Sequence, residues 1–99
     1  MRRRNTDEAW ESFGKSDPYF GVMADPKFHL NNLNKVAREE FFCSGKTYMS
    51  KLAATIRQKI KQDFQPQRSL DFGCGVGRIL LPLSDLSIEV VGIDVSKSM

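Results

Sequence analysis

The residues best suited to chemistry lie in the last third of the chain. They are the run Asp71-Phe72-Gly73-Cys74-Gly75-Val76-Gly77, a DxGxGxG pattern, and Asp94, seventeen positions beyond its last glycine. Glycine at Gly73 and Gly75 lets the backbone take positive φ angles and approach a ligand with no Cβ in the way. Gly77 is expected to let a following helix sit tightly against the preceding strand. A carboxylate at Asp94 can accept two hydrogen bonds from vicinal ribose hydroxyls. Bend and acid together point to an adenosine-type ligand. Taken singly, each residue also has a plainer reading. Gly73 and Gly77 serve equally as turn glycines, Asp94 as the N-cap of a helix from Ser96, Cys74 as a small filler, and His29 as a surface or packing residue.

These residues need elements to position them. Ser69 to Phe72 reads as a buried strand and Gly77 to about Leu86 as a helix, with Pro82 tolerated in its first turns. The β-branched run Ile88 to Ile93 reads as a second strand. Strand, bend, helix and strand form a βαβ unit with parallel strands and a right-handed crossover. The bend then falls at the carboxyl end of a strand, where open parallel sheets bind ligands.

Upstream, Gly14, Pro18, Gly21 and Pro26 forbid one long helix over residues 5 to 30 and suggest short turns with loops. Trp10, Phe13, Tyr19, Phe20 and Phe28 in that stretch are costly to leave in water, at about 25 cal/mol per Å². They are expected to lie on the main body, as a packing arm or as a lid over a ligand. Asn31, Asn32 and Asn34 are candidate N-caps for a short helix carrying Leu33, Val36, Ala37 and Phe41, which Gly45 ends. From Lys46 to about Asp63, Met49, Leu52, Ala53, Ile56 and Ile60 recur at steps of three and four, a second helix that Pro66 closes.

Dinucleotide sites share a glycine bend and a strand-end acid. Their G-x-G-x-x-G register demands glycine at 78 or at 80, where this chain has Arg78 and Leu80. Asp71, two residues before the first glycine, suits an ammonium or sulfonium better than a pyrophosphate. The segments SLDFGCGVGRILLPLS and VVGIDVSKSM resemble the first two motifs of class I methyltransferases that use S-adenosylmethionine (SAM). WESFGKSDPYFGVMADPKF and FFCSGKTYMSKL are similar to the N-terminal arm and first helices of bacterial members.

The resemblance implies a Rossmann-like three-layer α/β/α fold of which this chain supplies two of seven strands. Residues 1–45 would be an N-terminal helical arm, and 46–99 the first half of the SAM-binding domain. It implies that Asp71 and the backbone of Gly73, Cys74, Gly75 and Gly77 surround the methionine part of the cofactor. Asp94 would hold the ribose, Val95 and Met99 would lie near the adenine, and Phe42 to Tyr48 would lie close by. The acceptor and catalytic residues are left open, a small-molecule acceptor being only slightly preferred, and half a site is not expected to catalyse. Two other readings stand beside this one. The first is a non-catalytic fragment that folds against a partner. The second is an NAD or nucleotide-sugar oxidoreductase, which the glycine register disfavours.

With 40% hydrophobic and 10% aromatic residues, the 99-residue chain can build the core of one domain or part of one. Its net charge of +3 is carried by Arg2, Arg3 and Arg4, which leaves twelve basic and twelve acidic residues in positions 5 to 99. No basic surface with interleaved aromatics argues for DNA binding. No apolar run approaches the ~20 residues a membrane span needs, and Asn5 to Glu8 replace the apolar stretch of a secretory signal. Cys43 and Cys74 lack metal-site or disulfide spacing, which fits a reducing, cytoplasmic setting. Oligomeric state is open.

Overall fold

In the computed structural model, residues 5–99 are described; the three arginines that carry the net charge lie outside the described residues. Asn5 opens helix α1 (Thr6–Ser16), its side-chain oxygen accepting the Asp7 N–H at 3.0 Å. Pro18 then begins α2 (Pro18–Val22), where its missing donor does no harm. A 3-10 turn (Pro26–Phe28) follows, capped by the Asp25 side chain at Lys27 N. Residues 5 to 30 are thus mostly helical rather than loops. The breakers fall at helix starts or on close contacts, and α1 runs straight through Gly14.

Helix α3 (Lys35–Lys59) starts where Asn34 Oδ1 accepts the Ala37 N–H at 2.8 Å. It is one helix of 25 residues, which corrects the expected break at Gly45 and places the 45/46 boundary inside it. A Cβ on Gly45 would stand 1.9 Å from the Arg78 carbonyl oxygen. The glycine admits a neighbouring loop; it does not stop the helix. The far end is also shorter than expected, since α3 gives way at Ile60, well before Pro66. Ile60 is 80% exposed, so the apolar stripe has run out of neighbours by that point.

Strand β1 (Arg68–Phe72), helix α4 (Leu80–Leu86) and strand β2 (Glu89–Ile93) complete the order. Helix α4 begins at Leu80, three residues later than expected, with Pro82 in its first turn. The strands pair in parallel, Leu70 opposite Val91 and Phe72 opposite Ile93. The architecture is therefore mixed helix and strand, with one parallel pair. The dry core lies elsewhere, around Phe41, which is wholly buried and meets Tyr19, Phe28 and Phe42 edge to face at 5.0 to 5.4 Å. Tyr19, Phe20 and Phe28 pack as expected, Phe20 stacking on His29. Trp10 and Phe13 stay about two-fifths exposed.

The two sheet faces differ, which corrects the expected burial of Ser69 to Phe72, since one face of the pair has nothing among the described residues packed on it. Ser69, Asp71, Val90 and Gly92 are half-covered, whereas Leu70, Phe72, Val91 and Ile93 are exposed. Gly92 is where the covering layer comes closest, for a Cβ there would meet Leu80 Cδ2 at 2.6 Å and Cys74 Sγ at 2.9 Å. No helix among the described residues is long and apolar enough to cross a membrane.

Candidate functional site

Strand β1 ends at Phe72, and the chain reverses through Gly73, Gly75 and Gly77, whose φ angles are +79°, +54° and +95°. A side chain in that region costs about 1–2 kcal/mol per residue. The Gly73 and Cys74 N–H groups both donate to Ile93 O, at 2.7 and 3.0 Å, which pins the bend to the end of β2. The next residue is Asp94. Its Oδ2 accepts the Gly75 N–H at 2.8 Å and its Oδ1 the Ser96 N–H at 2.8 Å. The bend and the acid therefore touch. The Ser96 bond closes a turn at residues 94 to 96, and the described residues 96–99 form a turn.

Gly77 has room for a Cβ, with Leu81 Cγ the nearest atom at 3.7 Å, so its φ angle is what requires glycine. The tight helix–strand approach expected of Gly77 belongs instead to Gly92.

A cavity of about 520 Å³ opens beside the bend, within the ~300–1,000 Å³ common for small-molecule sites. Gly73, Gly75, Asp94, Val95 and Met99 line it, together with the strand-end side chains Phe72 and Ile93. Three of the expected site residues do not line it: Asp71, Cys74 and Gly77. Asp71 is on the half-covered sheet face, where desolvation, and then the charge of Asp94, push its carboxyl above the ordinary 3.8. Cys74 lies with its sulfur against Gly92; burial, then the charges of Asp71 and Asp94, push its thiol up. That disfavours the thiolate and any nucleophilic role. Phe42 to Tyr48 also stay off this cavity; Phe42, Cys43 and Lys46 border a separate groove against Leu81, Pro82 and Asp85 of α4.

Six lining residues are not among the expected site residues: Phe72 and Ile93 at the strand ends, Val22, and Thr6, Asp7 and Trp10 of α1, of which Trp10 belongs to the aromatic stretch expected to be a packing arm or a lid. The signal was the three- and four-residue spacing of Thr6, Asp7 and Trp10, which becomes visible only once Asn5 is recognised as a cap. Helix α1 is fastened to the segment after Asp94. Glu11 Oε2 accepts the Lys97 N–H at 2.7 Å, and the Ser98 side chain and that N–H hold the Glu11 carboxyl below its ordinary 4.5. Gly14 makes room, since a Cβ there would sit 2.4 Å from Ser96 Oγ and 3.1 Å from Met99 N.

The lining carries two carboxylates, Asp7 and Asp94, and no Lys, Arg or His among the described residues. Such a cavity favours a ligand with positive charge and offers nothing to a pyrophosphate beyond backbone N–H groups. No family model, curated protein or solved structure matches the chain.

Proposed function

We propose that this chain forms the cofactor-binding part of a SAM-dependent methyltransferase with a Rossmann-like fold. One observation carries the reading: a glycine bend, hydrogen-bonded to a strand-end carboxylate, borders a cavity lined by acids and no described cation. Asp94 would hold the ribose hydroxyls through the lone pairs left after its two N–H bonds. Val95 and Met99 would border the adenine, and the backbone at Gly73 and Gly75 the methionine part. Asp7 would face the positive end of the ligand. Asp71, off the lining, acts through space by its charge. When bound, SAM supplies an electrophilic methyl group on a positively charged sulfur. The methyl acceptor is not assigned.

Calorimetric titration of the full chain with S-adenosylhomocysteine and with NAD tests the reading. S-adenosylhomocysteine is expected to bind and NAD not. Asp94→Ala should weaken S-adenosylhomocysteine by about 1–3 kcal/mol, the cost of unmade hydrogen bonds. Preference for NAD, or an Asp94→Ala variant with unaltered affinity, would overturn it.

A further inference from the structure

We infer that Trp10 is the specificity-determining wall of this cavity, the side chain against which a purine base lies; the inference rests on the methyl-donor reading. Trp10 remains about two-fifths exposed although a tryptophan buried in the core would be more stable, and its exposed part borders the cavity shared with Val95 and Met99. Among the described residues its one aromatic neighbour is Phe13, with ring centroids 6.0 Å apart and tilted by 47°, which leaves the indole unstacked by any parallel ring. The polar groups of the cavity are Asp94 and the glycine backbone at the strand ends, with Thr6 and Asp7 on the turn of α1 before Trp10. A flat, weakly polar base is better matched to the indole and to the side chains of Val95 and Met99.

The wall is also held in place before a ligand arrives. The Glu11 to Lys97 hydrogen bond is made by the next residue and the Gly14 contacts lie one turn along the same helix, so Trp10 is carried on an element already fastened to the Asp94 loop. Preorganisation of this kind lowers the ordering cost of binding. Base-on-aromatic stacking tolerates any base but demands a planar ring. Trp10 therefore selects for a nucleoside and leaves the amino-acid end of the ligand to the bend and Asp7.

Trp10 is the single tryptophan of the chain, so intrinsic emission of the wild-type protein reads it without mutation. S-adenosylhomocysteine and adenosine are expected to quench that emission, and homocysteine to leave it unchanged. In parallel calorimetry Trp10→Ala should lose about tenfold in affinity for S-adenosylhomocysteine, and Trp10→Phe should keep most of it. Calorimetric binding of S-adenosylhomocysteine with unchanged emission, or with equal affinity in Trp10→Ala, overturns the role of Trp10 and leaves the methyl-donor reading standing. Quenching by SAM but not by S-adenosylhomocysteine would place the sulfonium rather than the base on the indole, and would overturn it too. No calorimetric binding of S-adenosylhomocysteine to the wild-type chain would remove both.

Discussion

At Gly75 three demands coincide: a φ of +54°, an N–H aimed at Asp94 Oδ2, and Val22 Cγ2 only 3.3 Å from where a Cβ would stand. Gly75→Ala should cost about 1–2 kcal/mol from the backbone alone and should also narrow the cavity. Thermal melts and calorimetry with S-adenosylhomocysteine are both expected to register the change. Gly77→Ala carries the same φ penalty without a steric neighbour, so it should lower stability while leaving affinity near the wild-type value. Asp71 allows a test by pH. Its carboxyl is raised by desolvation and by Asp94, so ionising it costs more in the folded chain than in the unfolded one. The destabilisation is present above the folded pKa and is relieved as pH falls through it. Asp71→Asn should therefore melt at a higher temperature than wild type at neutral pH, and the difference should shrink in mild acid. A difference that grew on acidification would contradict the assignment.

Among the elements, α3 offers a substitution whose sign separates two explanations. Alanine is the better helix former by about 1 kcal/mol, so Gly45→Ala would stabilise a helix that the glycine merely weakened. Against this stands the Arg78 carbonyl, 1.9 Å from the new Cβ, and backbone there gives way poorly. Overpacking of this sort costs about 1–3 kcal/mol; Gly45→Ala is expected to lower the melting temperature. The α1 fastening responds to pH in the opposite sense from Asp71. Glu11 is held low by Ser98 and the Lys97 N–H, so its contribution is complete above 4.5 and fades as pH falls below that value. Trp10 emission should shift over that range in wild type and not in Glu11→Gln.

The sequence was legible where the physics is local. A positive φ asks for glycine at the residue itself, and a β-branched run makes its own strand, so the bend, both strands and the reach of Asp94 followed from nearby residues. It was opaque where the reason lies far along the chain. Gly45 answers to Arg78 and Gly14 to Ser96 and Met99, so each reads as a breaker when only its neighbours are considered. Of the α1 wall, Trp10 was within reach as one of the arm or lid aromatics, whereas Thr6 and Asp7 were opaque for the same cause.

Taken whole, the molecule keeps its driest packing around Phe41 and leaves an apolar sheet face to solvent, with Leu70 60% and Val91 56% exposed. Contiguous patches of this kind promote association. The 99-residue polypeptide is expected to grow in apparent mass with concentration in analytical ultracentrifugation. The pair Leu70→Lys with Val91→Glu, opposite in register and in charge, should shift it towards monomer. A monodisperse wild-type monomer with one cooperative melt would refute this. The hydrogen bond from Lys97 to Glu11 joins positions 86 apart, and the cavity likewise has a floor and a wall drawn from opposite ends of the numbering. A small molecule seated there acts as a rivet through the entire polypeptide. At a hundred times its dissociation constant it would add about 2.7 kcal/mol, and every segment between the two ends would share in that gain.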